Sequence, residues 1–142
     1  MQLRSLATFF KTWYPSIIMM IIIFMFSSAK AVDSDVQSGL IVNALELLFP
    51  DLQGVDFLVN IVRKTAHFSE YMLLGILTAR ALKLTNKNIW IALPICIIYA
   101  TSDEIHQYFV PGRSMQFTDV LIDSAGSAFG IILYWFFTRN KK

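Results

Sequence analysis

SDEIHQYFVPGRSMQFTDVLIDSAGSAFGIILYWFF, residues 102–137, reads as a polar helix end, a tight turn, and a second helix that starts acidic and finishes apolar. Pro111-Gly112-Arg113 makes the turn, because Pro fixes one dihedral and Gly permits the unusual ones. Asp119 and Asp123 follow at i, i+4, and IILYWFF closes the helix. Two consecutive helices therefore bring their polar ends to the same turn, with their apolar ends pointing away from it.

Working outward, the same search for long apolar stretches bounded by charges, Gly or Pro finds four segments. A helix crosses the hydrocarbon of a membrane with about 20 residues at about 1.5 Å each. The segments lie at about 13–29, 57–82, 89–109 and 117–137. IIMMIIIFMF forms the interior of the first, and Pro15 is acceptable near a helix start. The second is conventionally apolar only in its later half, YMLLGILTARAL. With 142 residues, 56% of them hydrophobic, and a mean hydropathy of +0.56, the chain is too apolar for an ordinary soluble domain and too short for two substantial ones. The expected fold is all-α: one integral membrane four-helix bundle over 1–142. SGLIVNALELLF, ended by Pro50, is too short to span and predicts an interfacial helix between the first two spans on the extracytoplasmic side. The lone Cys96 sits in an apolar run as an inert structural thiol.

Charge placement sets orientation. Arg4, Lys11, Arg80, Lys83, Lys87, Arg139, Lys141 and Lys142 fall on one side, which the positive-inside rule makes cytoplasmic together with both termini. The 10 acidic residues all fall on the other side. Trp13, Trp90 and Trp135 mark the inner interface. Arg4 and Lys11, an apolar run and Ala29-Lys30-Ala31 also imitate a cleavable signal peptide; the intact first helix is the preferred reading.

The outer end gathers the chemically capable side chains. Lys64, His67 and Tyr71 follow i, i+3, i+7, with Glu70 three after His67. Asp103, His106 and Gln107 share a face at i, i+3, i+4, with Glu104 to one side and Tyr99 a turn deeper. Arg113 stands above the mouth, and Asp119 and Asp123 come in on the fourth span. Ionisable groups in membranes face a cavity or each other, and mark function. The bland alternative is a salt-bridge network that only holds helices together. Glu70, Asp103, Glu104, Asp119 and Asp123 outnumber Lys64, Arg113 and Arg63, which is more acidic than self-neutralisation requires. Protonated His67 and His106, neutral carboxyls or a bound cation would balance the excess. His67 with Glu70 and Asp103 with His106 are the ligands a metal would use, but i, i+3 pairs are common and the basic residues favour an anion. Arg113 offers bidentate donors suited to phosphate. Gly126-Ser127-Ala128-Phe129-Gly130 is a GxxxG, read as close helix packing, with Gly75 and Ala79 as the receiving face.

FSS (26–28), QSGL (37–40), RKTAHFSEYMLLG (63–75) and SDEIHQYFVPGRSMQFTDVLIDSAGSAFG (102–130), in that order, resemble the VanZ-like family of bacterial membrane proteins. The resemblance covers most of the chain. It implies four spans in the bacterial cytoplasmic membrane, an intact first helix, and a link to lowered susceptibility to the glycopeptide teicoplanin. Many members carry Asn where this chain has Asp123, so the resemblance lends no support to an essential acid role for Asp123. It supplies no accepted reaction and no cofactor.

The first functional expectation is a site acting at the outer leaflet on a lipid or lipid-linked envelope precursor. Arg113 and Lys64, with Tyr71, Gln107 and Asp119, hold the headgroup, and His67, Glu70, Asp103 and His106 exchange protons, supported by Glu104, Asp123, Gly126 and Gly130. The second is a non-catalytic pocket for a headgroup or protein partner. An ion or proton translocator ranks last, since the inner halves offer little beyond Thr78 and Arg80. No nucleotide loop or nucleic-acid module is present, and the basic residues near Lys83 and the C-terminus are explained by topology.

Overall fold

The computed structural model describes residues 2–28, 40 and 55–139. Among them are four α-helices and no strand. Helix α1 is Gln2–Ser27, α2 is Val55–Leu84, α3 is Ala92–Tyr108 and α4 is Phe117–Thr138. The interfacial helix expected over 38–49 lies outside the described residues except for Leu40.

The helix boundaries follow local chemistry. Asn86 ends the α2 turn in the left-handed region at φ 54°, which Asn tolerates better than most residues. Asn88 then accepts from the Trp90 amide and starts a 3₁₀ turn, Ile89–Ile91, that leads into α3. Gly112, at φ 81°, completes the expected turn after α3, closed by the Arg113 amide donating to the Val110 carbonyl. One boundary differs from expectation. α1 begins at Gln2, so Pro15 lies inside the helix, not near its start. A proline there removes one backbone bond, and neighbouring helices can hold such a helix together.

Helices α2 and α4 run in parallel, in register along their whole length. Lys64 meets Asp119 near one end, the Ser127 hydroxyl donates to the Tyr71 carbonyl in the middle, and Lys83 donates to the Thr138 carbonyl at the other end. Glycines allow the approach. A Cβ at Gly126 would strike the Phe68 carbonyl oxygen, one at Gly130 the Met72 carbonyl, and one at Gly75 the Ser127 carbonyl. The expected small-residue seam is thus the α2/α4 contact, and Ala79 packs beside it with Leu82, Ala92 and Ile131. A second cluster of Ile23, Tyr71, Leu74, Cys96 and Ala100 joins α1 and α3 to the pair. Cys96 is buried and free, as expected.

By length and composition one described helix, α4, is apolar enough to cross a membrane; α1 has a shorter apolar stretch, Lys11–Ser27. The four-span expectation therefore meets this criterion in α4 alone. Large apolar side chains nevertheless cover the outside of the bundle, including Ile18, Ile21 and Met25 of α1 and Ile98 of α3.

Candidate functional site

The end of the bundle where α3 turns into α4 holds most of the expected residues. Because α2 and α4 are parallel and in register, two polar residues of α2 face two acids of α4. Lys64 Nζ donates to Asp119 Oδ1 at 2.8 Å, and one turn deeper His67 Nδ1 stands 3.6 Å from Asp123 Oδ1. The first is a direct ion pair, a third exposed on the lysine side and so modest in its contribution. The second is within ion-pair range but longer than a hydrogen bond.

From α3, Gln107 bridges two groups: its amide donates to Asp103 Oδ2 at 3.2 Å, and its carbonyl oxygen accepts from Arg113 Nη1 at 3.1 Å. Glu104, expected to lie to one side, is instead fully buried, and its Oε2 accepts from the Gln116 amide at 2.8 Å. That bond satisfies a backbone donor just before α4, where the chain has no other side-chain cap. Gln107 and Glu104 together tie the 110–116 loop to α3, and so fix Arg113 over the bundle. Glu70 is half-buried, within electrostatic reach of His67, Asp123, Asp103 and Arg113.

Two expected members stand elsewhere. His106 turns toward α1, where its ring lies 4.5 Å from Phe24 and its Nε2 is 3.1 Å from the Ser28 hydroxyl. That hydroxyl donates to the Phe24 carbonyl at 2.6 Å, so the imidazole serves as its donor. Tyr71 is fully buried among Asp103, Asp123, Glu104 and Tyr99, and is not in the wall of the cavity at this end. Gly126 and Gly130 set the helix seam.

An open cavity of about 390 Å³, its mouth included, lies between α2 and the loop. Arg63, His67, Gln107, Arg113, Gln116 and Asp119 are in its wall. Arg63 reads in the sequence only as a third positive charge; its i, i+4 spacing to His67 is the signal that places both on one wall. Gln116 carried no such signal. Below the cavity, both Asp123 oxygens, Asp103 Oδ1, Glu104 Oε1 and the Tyr71 hydroxyl are buried without a hydrogen-bond partner among the described residues. Unpaired buried carboxylates are costly, so this is the least satisfied region of the bundle. No three His, Cys, Asp or Glu side chains among the described residues are grouped to hold a metal. His67 and His106, the nitrogen ligands considered for one, face different helices.

The VanZ/LLP1 family model matches residues 12–138, nearly the whole chain and all of the site. No curated protein and no solved structure matches it.

Proposed function

The chain belongs to the VanZ/LLP1 family, and from that membership we propose a multi-pass protein of the bacterial cytoplasmic membrane whose cavity opens to the outer leaflet. There it binds the phosphate-bearing headgroup of a lipid or lipid-linked envelope component, and lowers susceptibility to teicoplanin-type lipoglycopeptides by altering how they meet the cell surface. The apolar exterior supports the membrane setting, and the distribution of Lys and Arg supports cytoplasmic termini.

The observation that carries the reading is the cavity wall itself. Two guanidinium groups, Arg63 and Arg113, and the imidazole of His67 face one concave space, and the loop bearing Arg113 is held by Gln107 and Glu104. Planar guanidinium donors in a partly dehydrated pocket suit phosphate oxygens. Charged hydrogen bonds of this kind contribute about 1.5–3 kcal/mol, so Arg113→Gln should weaken headgroup binding roughly 10- to 100-fold.

A second reading, acid–base catalysis on the same headgroup, draws on His67 lying in the cavity wall with Asp123 behind it at 3.6 Å. Ion translocation has less support, because Leu74, Ala79, Leu82, Ala92 and Ile131 close the inner half. The test is teicoplanin susceptibility of cells expressing each variant at matched membrane abundance. Arg113→Gln should abolish protection; full protection by that variant would refute the headgroup pocket. His67→Gln should retain protection if the pocket only binds, and lose it if the imidazole transfers protons.

A further inference from the structure

The cavity is not uniformly cationic. Asp119 is in its wall, in the first turn of α4, where the helix dipole favours a carboxylate. Its Oδ1 takes the bonds from Lys64 and Thr118, leaving Oδ2 with no hydrogen-bond partner among the described residues. Glu70, one turn below His67, is half-buried and also has no such partner. Under both lie the unpartnered oxygens of Asp123, Asp103 and Glu104, with the Tyr71 hydroxyl among them; these side chains are at most 3% exposed.

A purely anionic headgroup would suit the guanidinium side of this wall but would bring no donor to Asp119 Oδ2 or Glu70 on the other. We propose that the ligand carries a primary ammonium beside its phosphate, as a phosphoethanolamine lipid does. This rests on the headgroup reading above. The phosphate lies against Arg63 and Arg113, and the ammonium, with three N–H donors, lies toward Asp119 Oδ2 and Glu70. The buried carboxyls below present further oxygens without a hydrogen-bond partner, which suits a donor-bearing group at that depth better than a second anion. A quaternary ammonium keeps the charge but has no N–H to donate, so it should gain only part of the preference.

The full chain, purified in detergent, is titrated with dioctanoyl phosphatidylethanolamine, phosphatidylglycerol and phosphatidylcholine, with binding read by native mass spectrometry. The ethanolamine lipid should bind at least about tenfold more tightly than the glycerol lipid, with the choline lipid between them. Glu70→Gln, nearly isosteric, and Asp119→Asn should each reduce that ratio at least about threefold, while Arg113→Gln weakens all three lipids. Free O-phosphoethanolamine should bind far more weakly than the lipid; equal binding would overturn the assignment to a lipid. Equal, Arg113-dependent binding of the ethanolamine and glycerol lipids would overturn the ammonium inference and leave the headgroup pocket standing. No Arg113-dependent binding of any lipid would overturn both.

Discussion

Replacing Gly130 by Ala tests how the two parallel helices are held. In an isolated helix the change would help, since Ala is favoured over Gly by about 1 kcal/mol. Here the new methyl would meet the Met72 carbonyl oxygen well inside the 3.4 Å at which ordinary contacts begin. The obstructing atom is backbone and cannot swing aside, so α2 and α4 must part by on the order of 1 Å. A gap of that size forfeits roughly a quarter to a half of the dispersion energy of each facing contact. Overpacking costs about 1–3 kcal/mol, towards the upper end where the blocking atom is backbone, leaving a net loss of about 1–2 kcal/mol after the helix-propensity gain. At about 4 °C per kcal/mol, the apparent thermal midpoint in detergent, followed by the monodisperse fraction after heating, should fall by about 4–8 °C. Gly126→Ala, against the Phe68 carbonyl, should act similarly, and the double variant should lose less than the sum because one separation serves both. Ala125→Gly, at an exposed position of the same helix, should cost only the propensity difference of about 1 kcal/mol. A midpoint unchanged or raised by Gly130→Ala would show that the seam does not carry the packing assigned to it.

Glu104→Leu should release the loop from α3 and raise amide hydrogen exchange at Gln116 by about tenfold, whereas Glu104→Gln, which keeps an acceptor oxygen, should raise it far less; equal exchange in both would remove Glu104 as the anchor. Topology is checked by membrane-impermeant maleimide on intact cells: Ser114→Cys should react from outside, Lys87→Cys only after permeabilisation, and buried Cys96 in neither case. The reverse pattern would invert the membrane orientation.

Helix phase made the general location of the site legible, but not its pairings. Asp103, His106 and Gln107 are expected on one face; Asp103 and Gln107, one turn apart, meet there and His106 does not. Glu104 and His106 flank that face on opposite sides, and which neighbour each would meet depends on how three other helices pack. The structure sends Glu104 to the loop before α4 and His106 to Phe24 and Ser28 of α1. Similarly, Lys64 and His67 on α2 and Asp119 and Asp123 on α4 each showed one-sided spacing, while their one-to-one matching required the parallel register. The glycine motif was read correctly as packing because the absence of a Cβ has one mechanical use at a helix contact, and Gly75 supplied the second half of it. Pro15 misled for the opposite reason: its preference for first turns is statistical, and tertiary packing tolerates it inside α1.

The seam and the site are mechanically one object. In a membrane, apolar side chains gain little from leaving lipid, so close packing of small residues has to hold the helices together. Gly126 touches the carbonyl of Phe68, the residue after His67, and lies three residues beyond Asp123. The same close approach that packs the apolar half of the bundle therefore sets the 3.6 Å between His67 and Asp123. It also holds in place the polar pairs between α2 and α4, Lys64 with Asp119 and His67 with Asp123, beside the unpartnered carboxyls of Asp103, Glu104 and Asp123. Widening the seam at Gly126 should thus lengthen the His67–Asp123 contact before it unfolds the protein, and function should be lost at a lower temperature than the fold.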